Sequence, residues 1–202
     1  MAHRFYEDGR IQAGLTPQQY HEAFTQQANL DPTTLNAEQA EMLEYTRLNL
    51  HRSQRIANNY KVSEDIAALV QAIDAPQTWL VLTEPWCGDS AQCLPHIARL
   101  AQLNANIDLR LLMRDDNLDV MDDFLTDGKR SIPRLVIFDA EGEELAQWGP
   151  RPAEAQVVFN KAKEAKLEKP EILERLHLFY GRNRGAAMED EMRYLLSELV
   201  NR

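Results

Sequence analysis

The sequence is short of several things, and each shortage excludes something. It has only two cysteines, Cys87 and Cys93, so it is neither a disulfide-stapled secreted domain nor a thiolate zinc site. They are also too far apart for a C-x-x-C pair. Basic residues are scarce: 22 Lys and Arg against 32 Asp and Glu give a net charge of −10. That disfavours nucleic acid and anionic membrane as main partners, since both demand clustered positive charge. No apolar run approaches the roughly 20 residues that cross a bilayer. The stretch Met1 to Glu7 carries no signal-like apolar core, so a cytoplasmic setting is expected. There is no internal repeat and no low-complexity segment.

What remains is an ordinary acidic chain of 202 residues with 44% hydrophobic content, enough for one domain with elaborated ends. Residues 1–14 read as an extended or poorly fixed leader. Thr16-Pro17 then marks a helix start, a capping residue followed by proline at the first helical position. Asn36 caps a second helix running to about Asn58. Ser63 starts a third, with Ile66, Leu69, Val70 and Ile73 at helical spacing, stopped by Asp74-Ala75-Pro76. From there strands and helices alternate: strand 78–83, helix 87–104, strand 107–113, helix 118–125, strand 134–138, the turn Asp139 to Gly142, strand 143–148 and helix 152–165. Strands separated by helices are expected to be parallel and the final hairpin antiparallel, in a mixed sheet with helices on both faces. Helices 170–180 and 186–199 follow, joined through Gly181 to Gly185, with Leu173, Leu176, Leu178 and Phe179 as the stripe of the first.

The chemistry concentrates in Thr83-Glu84-Pro85-Trp86-Cys87-Gly88-Asp89-Ser90. A strand ends, a turn follows, and a cysteine stands at a helix N-terminus, where unpaired N–H groups and the helix dipole favour a thiolate. Cys87 is therefore expected to be acidified and nucleophilic. Asp89 works against this by charge, or else bonds the free N–H groups of the helix start. Arg134 is a candidate to swing the field back. Cys93 lies about 9 Å further along the helix axis and off the same face, beyond the roughly 7 Å that a disulfide tolerates. It reads as a small buried hydrophobe. Pro133 is a candidate cis proline, which would set the Ile132 backbone beside Cys87, free to pair with an extended peptide.

Other constellations fail on spacing. The run Asp115, Asp116, Asp119, Asp122, Asp123 lacks the glycine and glutamate of a calcium loop, having Val120 and Thr126 there. His96 falls on the helix face away from Cys87. No metal site is expected.

Trp86-Cys87-Gly88, Pro95 within the following helix, Ile132-Pro133 before a strand, and the Glu141-Gly142 turn together resemble the thioredoxin superfamily across about residues 60–166. Closer still is a resemblance to a bacterial thioredoxin-like group. Its W-C-G-D-A-A-Q, R-D-x-N, S-I-P and W-G-P-R-P segments read here as Trp86 to Gln92, with Ser90 in the fifth place, Arg114 to Asn117, Ser131 to Pro133 and Trp148 to Pro152. The resemblance implies an α/β thioredoxin fold over 61–166, with a helical N-terminal extension at 1–60 and a helical C-terminal one at 167–202. It also implies Cys87 as the reacting residue, with Trp86, Gly88, Asp89, Ser90, Ile132 and Pro133 as the substrate-binding surface.

Two departures from thioredoxin stand out. Ser90 occupies the place of the resolving cysteine. Val81 occupies the place of the buried carboxylate that accepts protons. Cys-Gly-Asp-Ser also resembles the motif of monothiol glutaredoxins, but the lysine that they carry on the preceding strand is absent.

Two functions stay open. One is a monothiol thiol–disulfide oxidoreductase, taking a protein disulfide or a low-molecular-weight thiol such as glutathione as co-substrate, with no resident cofactor. The other is a non-catalytic module binding peptides or proteins. Either is compatible with a homo-oligomer. Whether the helical extensions cover Cys87 decides what can reach it.

Overall fold

The computed structural model describes residues 3–200. Its centre is β1 (Gln77–Thr83), buried from Trp79 onward. It pairs in parallel with β2 (Ile107–Met113) and antiparallel with β3 (Arg134–Phe138), which pairs antiparallel with β4 (Glu144–Trp148). The sheet order is β2-β1-β3-β4. Alternation along β1 sorts its side chains. Trp79 and Val81 enter the larger core, and Leu80 and Leu82 the smaller one on the other face.

The expectation that β3 runs parallel to β1 is overturned. The connecting helix α6 (Leu118–Asp122) has five residues and rises about 7.5 Å, whereas β2 climbs about 23 Å. The connection returns no helix along the sheet, and β3 starts beside the end of β2 and descends, with Arg134 opposite Leu82.

Helices cover both faces. On the larger core lie α2 (Pro17–Ala28), α3 (Ala37–Asn59), α4 (Glu64–Gln71), α5 (Gly88–Ala101), α7 (Ala153–Glu164), α8 (Lys169–Asn183) and α9 (Ala186–Val200). The caps act as the sequence suggests at two of these starts: Thr16 with Gln19, and Asn36 with Gln39, form capping boxes. The smaller core is closed by α6 and by α1 (Arg4–Glu7). Phe5 stacks with His3 and meets Phe124 edge-on, and Ile11 is fully buried. Leu15 exchanges both backbone bonds with Leu111 at the free edge of β2. From His3 onward the leader is therefore pinned rather than loose, and Met1 and Ala2 lie outside the described residues. Its apolar residues are spread over turns, so no periodicity announces them. The turn after α8 is also shorter than expected. The helix continues through Asn183, and only left-handed Arg184 and Gly185 link it to α9.

The two extensions share the larger core with the sheet: Tyr20, Phe24 and Leu50 from one end, Ile172, Leu176, Met192 and Leu196 from the other. Among the described residues no helix is long and apolar enough to cross a membrane, and no group of three or more His, Cys, Asp or Glu is placed to hold a metal ion.

Candidate functional site

Cys87 is the residue that caps α5. Its backbone is extended, its N–H bonds the Glu84 carbonyl at 3.1 Å, and its sulfur accepts from the Ser90 N–H at 3.5 Å. The Sγ hydrogen-bonds the Ile132 carbonyl at 3.3 Å. The Ile132–Pro133 peptide bond is cis, as is Gly149–Pro150. So the structure brings Cys87, Ser90, Ile132 and Pro133 together, with the thiol on one of the two acceptor sites of the Ile132 carbonyl.

The expected acidification of Cys87 does not occur. Only 7% of the residue is exposed. Burial, then the charge of Asp89, pushes its pKa up to about 11, against a smaller lowering by the Ser90 side chain and backbone. The magnitudes decide this. A helix N-terminus contributes up to about 2 kcal/mol, or roughly 1.5 pKa units. Full burial raises a thiol by as much as about 3–5 units.

Ser90 is 1% exposed and its hydroxyl has no hydrogen-bond partner. A buried unpaired hydroxyl costs on the order of 1–3 kcal/mol. A hydroxyl rotates freely, and this one lies within reach of the sulfur. It is a donor held in place for a charge that the resting thiol does not carry.

Asp89 does not bond the helix start. Arg151 donates to its Oδ2 through Nε at 2.9 Å and Nη2 at 2.6 Å, and the Tyr180 hydroxyl donates to Oδ1 at 2.6 Å. Arg134 does not face the thiol either. It bonds Gln147 and the Gly149 carbonyl. The cation that answers Asp89 is Arg151, from the Trp148 to Pro152 segment. That segment sits tightly against the site: Gly149 has φ +119°, and a Cβ there would fall 2.2 Å from the Pro133 carbonyl oxygen. Trp86 is half-buried beneath the Arg114 guanidinium, 4.8 Å from the ring centre. Asp115 N–H bonds Glu84 Oε1 at 2.8 Å. Glu84 is a buried carboxylate that the sequence reading passed over. Burial raises its pKa to about 7, and it is turned to the loop after β2.

Cys93 is 1% exposed, with its sulfur 3.9 Å from the Tyr180 hydroxyl. His96 is buried against Tyr60, on the side away from Cys87, with Nδ1 at 3.0 Å from the Gln92 carbonyl oxygen.

The helical extensions do cover the thiol. A cavity of about 230 Å³ opens beside Cys87 between α3 and α8, walled by Met42, Tyr45, Trp86, Leu173 and Leu176. Asn49, from α3, donates to the Pro85 carbonyl at 3.2 Å. From α8, the His177 ring lies so close to Gly88 that a Cβ there would sit 3.1 Å from its Cε1.

A family model described as thioredoxin matches residues 36–165. No curated protein matches the chain. Among solved structures, an HIV epitope-scaffold is similar at 18% identity and TM-score 0.52, over 93% of this chain and 99% of that one. A protein of unknown function from Pseudomonas aeruginosa is similar at 19% identity and TM-score 0.47, over 85% of this chain and 99% of that one. At 18% identity the likeness to the scaffold concerns the fold alone.

Proposed function

The chain belongs to this thioredoxin family, and from that premise we propose that it is a monothiol thiol–disulfide exchange protein, with Cys87 as the reacting residue. The observation that carries the reading is the Ser90 pair of donors, a backbone N–H already on the sulfur and a buried hydroxyl with no other use. Cys87 loses its proton to solvent and swings from the Ile132 carbonyl to these donors. The thiolate attacks a disulfide R–S–S–R′, forming Cys87–S–S–R and releasing R′–S⁻, which takes up a proton. A second thiol R″–SH from solution, as thiolate, then attacks the R sulfur, giving R–S–S–R″ and freeing Cys87. No cysteine of the chain can perform that second step: Ser90 stands where one would be needed, and Cys93 faces Tyr180. A small thiol such as glutathione would serve, which goes with a reducing, cytoplasmic setting. Trp86, Gly88, Asp89, Ile132 and Pro133 would frame the substrate.

One observation favours the second reading, a binding module without turnover: the thiol is protonated at neutral pH and hydrogen-bonded to Ile132. Mass spectrometry of the folded protein incubated with a small disulfide separates the two. The exchange reading expects one adduct per chain, on Cys87, forming faster as pH rises and removed by added thiol. A folded chain that stays unmodified up to pH 9.5 would leave the binding module.

A further inference from the structure

Resting on the exchange reading, we infer that the substrate of the Cys87 cleft is a small disulfide carrying a carboxylate, and that disulfides of folded proteins are excluded.

The exclusion is steric. Cys87 lines a cleft of about 230 Å³ between α3 and α8. That accommodates a molecule of dipeptide size. An extended protein segment would need the α3 and α8 walls to part, and both are anchored to the motif. Asn49 holds α3 to the Pro85 carbonyl, and Tyr180 holds α8 to Asp89.

The charge preference comes from the walls. In a chain of net charge −10, the cleft is lined by Arg52 and Lys169, and neither forms an ion pair among the described residues. Arg52 Nη1 donates only to the neutral Asn49 Oδ1, at 3.0 Å. The Lys169 ammonium stands over the Tyr45 ring at 5.6 Å. Asp89 also lines the cleft, but its two oxygens are consumed by Arg151 and Tyr180. His177 adds a buried Nδ1 with no partner. The cleft thus offers an uncompensated guanidinium, an ammonium and an unused ring nitrogen around an apolar channel to a sulfur. A carboxylate satisfies the cations through charge-assisted bonds, and the thiol-bearing stem fits between Met42, Tyr45 and Leu173.

The test measures Cys87 adduct formation with 3,3′-dithiodipropionate (two carboxylates), bis(2-hydroxyethyl) disulfide (neutral), cystamine (two ammoniums) and oxidised insulin-type protein disulfides. Each rate is divided by that of a free small thiol with the same disulfide. The dicarboxylate should exceed the neutral compound by about tenfold, and cystamine should be slowest. The protein disulfide should give no adduct. Arg52→Gln with Lys169→Gln should bring the dicarboxylate-to-neutral ratio to near one, and Arg52→Lys should keep most of it. Equal or reversed ratios in the unaltered protein, or rapid reaction with the protein disulfide, overturn the inference while leaving the exchange reading intact. Absence of any adduct with every compound overturns the exchange reading as well.

Discussion

Cys87 and Cys93 are six positions apart around one helix, both buried, and both with thiol pKa values raised by burial first and by Asp89 second. They belong to different cores. Cys87 packs with Leu82, Ile132 and Val136 in the smaller one, and Cys93 with Leu94, Ile97 and Tyr180 in the larger. Their neighbours differ more than their burial. Cys87 has an N–H donor, a rotatable hydroxyl and a cavity beside it. Cys93 has a tyrosine whose proton is already committed to Asp89. Burial alone does not make a thiol inert. What distinguishes the two is whether donors and open volume exist for the thiolate and its partner.

The largest break in that comparison is chemical. Cys87→Ser should abolish adduct formation with small disulfides in the folded protein, a loss of at least about 10³-fold, because the thiolate is the nucleophile. Cys93→Ala should leave the rate within about twofold, and cost on the order of 1 kcal/mol by leaving a small void. Peptide mapping after labelling reads both. Next comes pH. With a Cys87 pKa near 11, the thiolate fraction grows with each proton removed. Its alkylation rate should therefore climb about tenfold per pH unit from 7 to 10 without a plateau. A plateau near neutrality, seen in stopped-flow or mass-resolved labelling, would sink the assignment of a desolvated thiol.

Asp89→Asn should do two things of opposite sign. It removes the negative charge that opposes the thiolate, so Cys87 labels faster. It also strands the half-buried Arg151, so urea denaturation should show a loss of about 3 kcal/mol. The smallest effect is expected for Ser90→Ala. Labelling of Cys87 should slow severalfold, by loss of one donor to the thiolate. Stability should hold or rise slightly, since the resting protein loses only an unpaired hydroxyl. Faster labelling in that variant would remove the reason for assigning Ser90 a part.

Much of this arrangement was legible in the sequence. Apolar runs bounded by turn residues place β1, β2 and β3 within a residue of their observed limits, and capping residues mark the starts of α2 and α3. The strand direction of β3 was not legible, because a connection of this length can return the chain in either direction and only the sheet pairing fixes which. The stripe of α8 was misassigned in part. Its buried residues Ile172, Leu176 and Tyr180 recur strictly every fourth position, while Leu178 is exposed. That spacing was the available signal for Tyr180. The pairing of Asp89 with Arg151 joins two segments that were each recognised, yet nothing local to either announces the other. Arg52, Asn49, Lys169 and His177 come from the extensions, where a sequence shows helical faces but not what they lie against. The raised thiol pKa follows from the same gap, since the desolvation that overrides the helix terminus is supplied by those distant helices.

The walls of the cleft also have an order in time. The chain is made from its N-terminus, so α3 precedes Cys87, while His177 follows it by 90 residues. At about 5–20 residues per second, the thiol waits roughly 5–20 s before the helix that roofs it has been synthesised. Only once α8 is in place is the α8 side of the enclosure complete. One wall of the cleft is therefore in the chain before the thiol, and the other is added only after it.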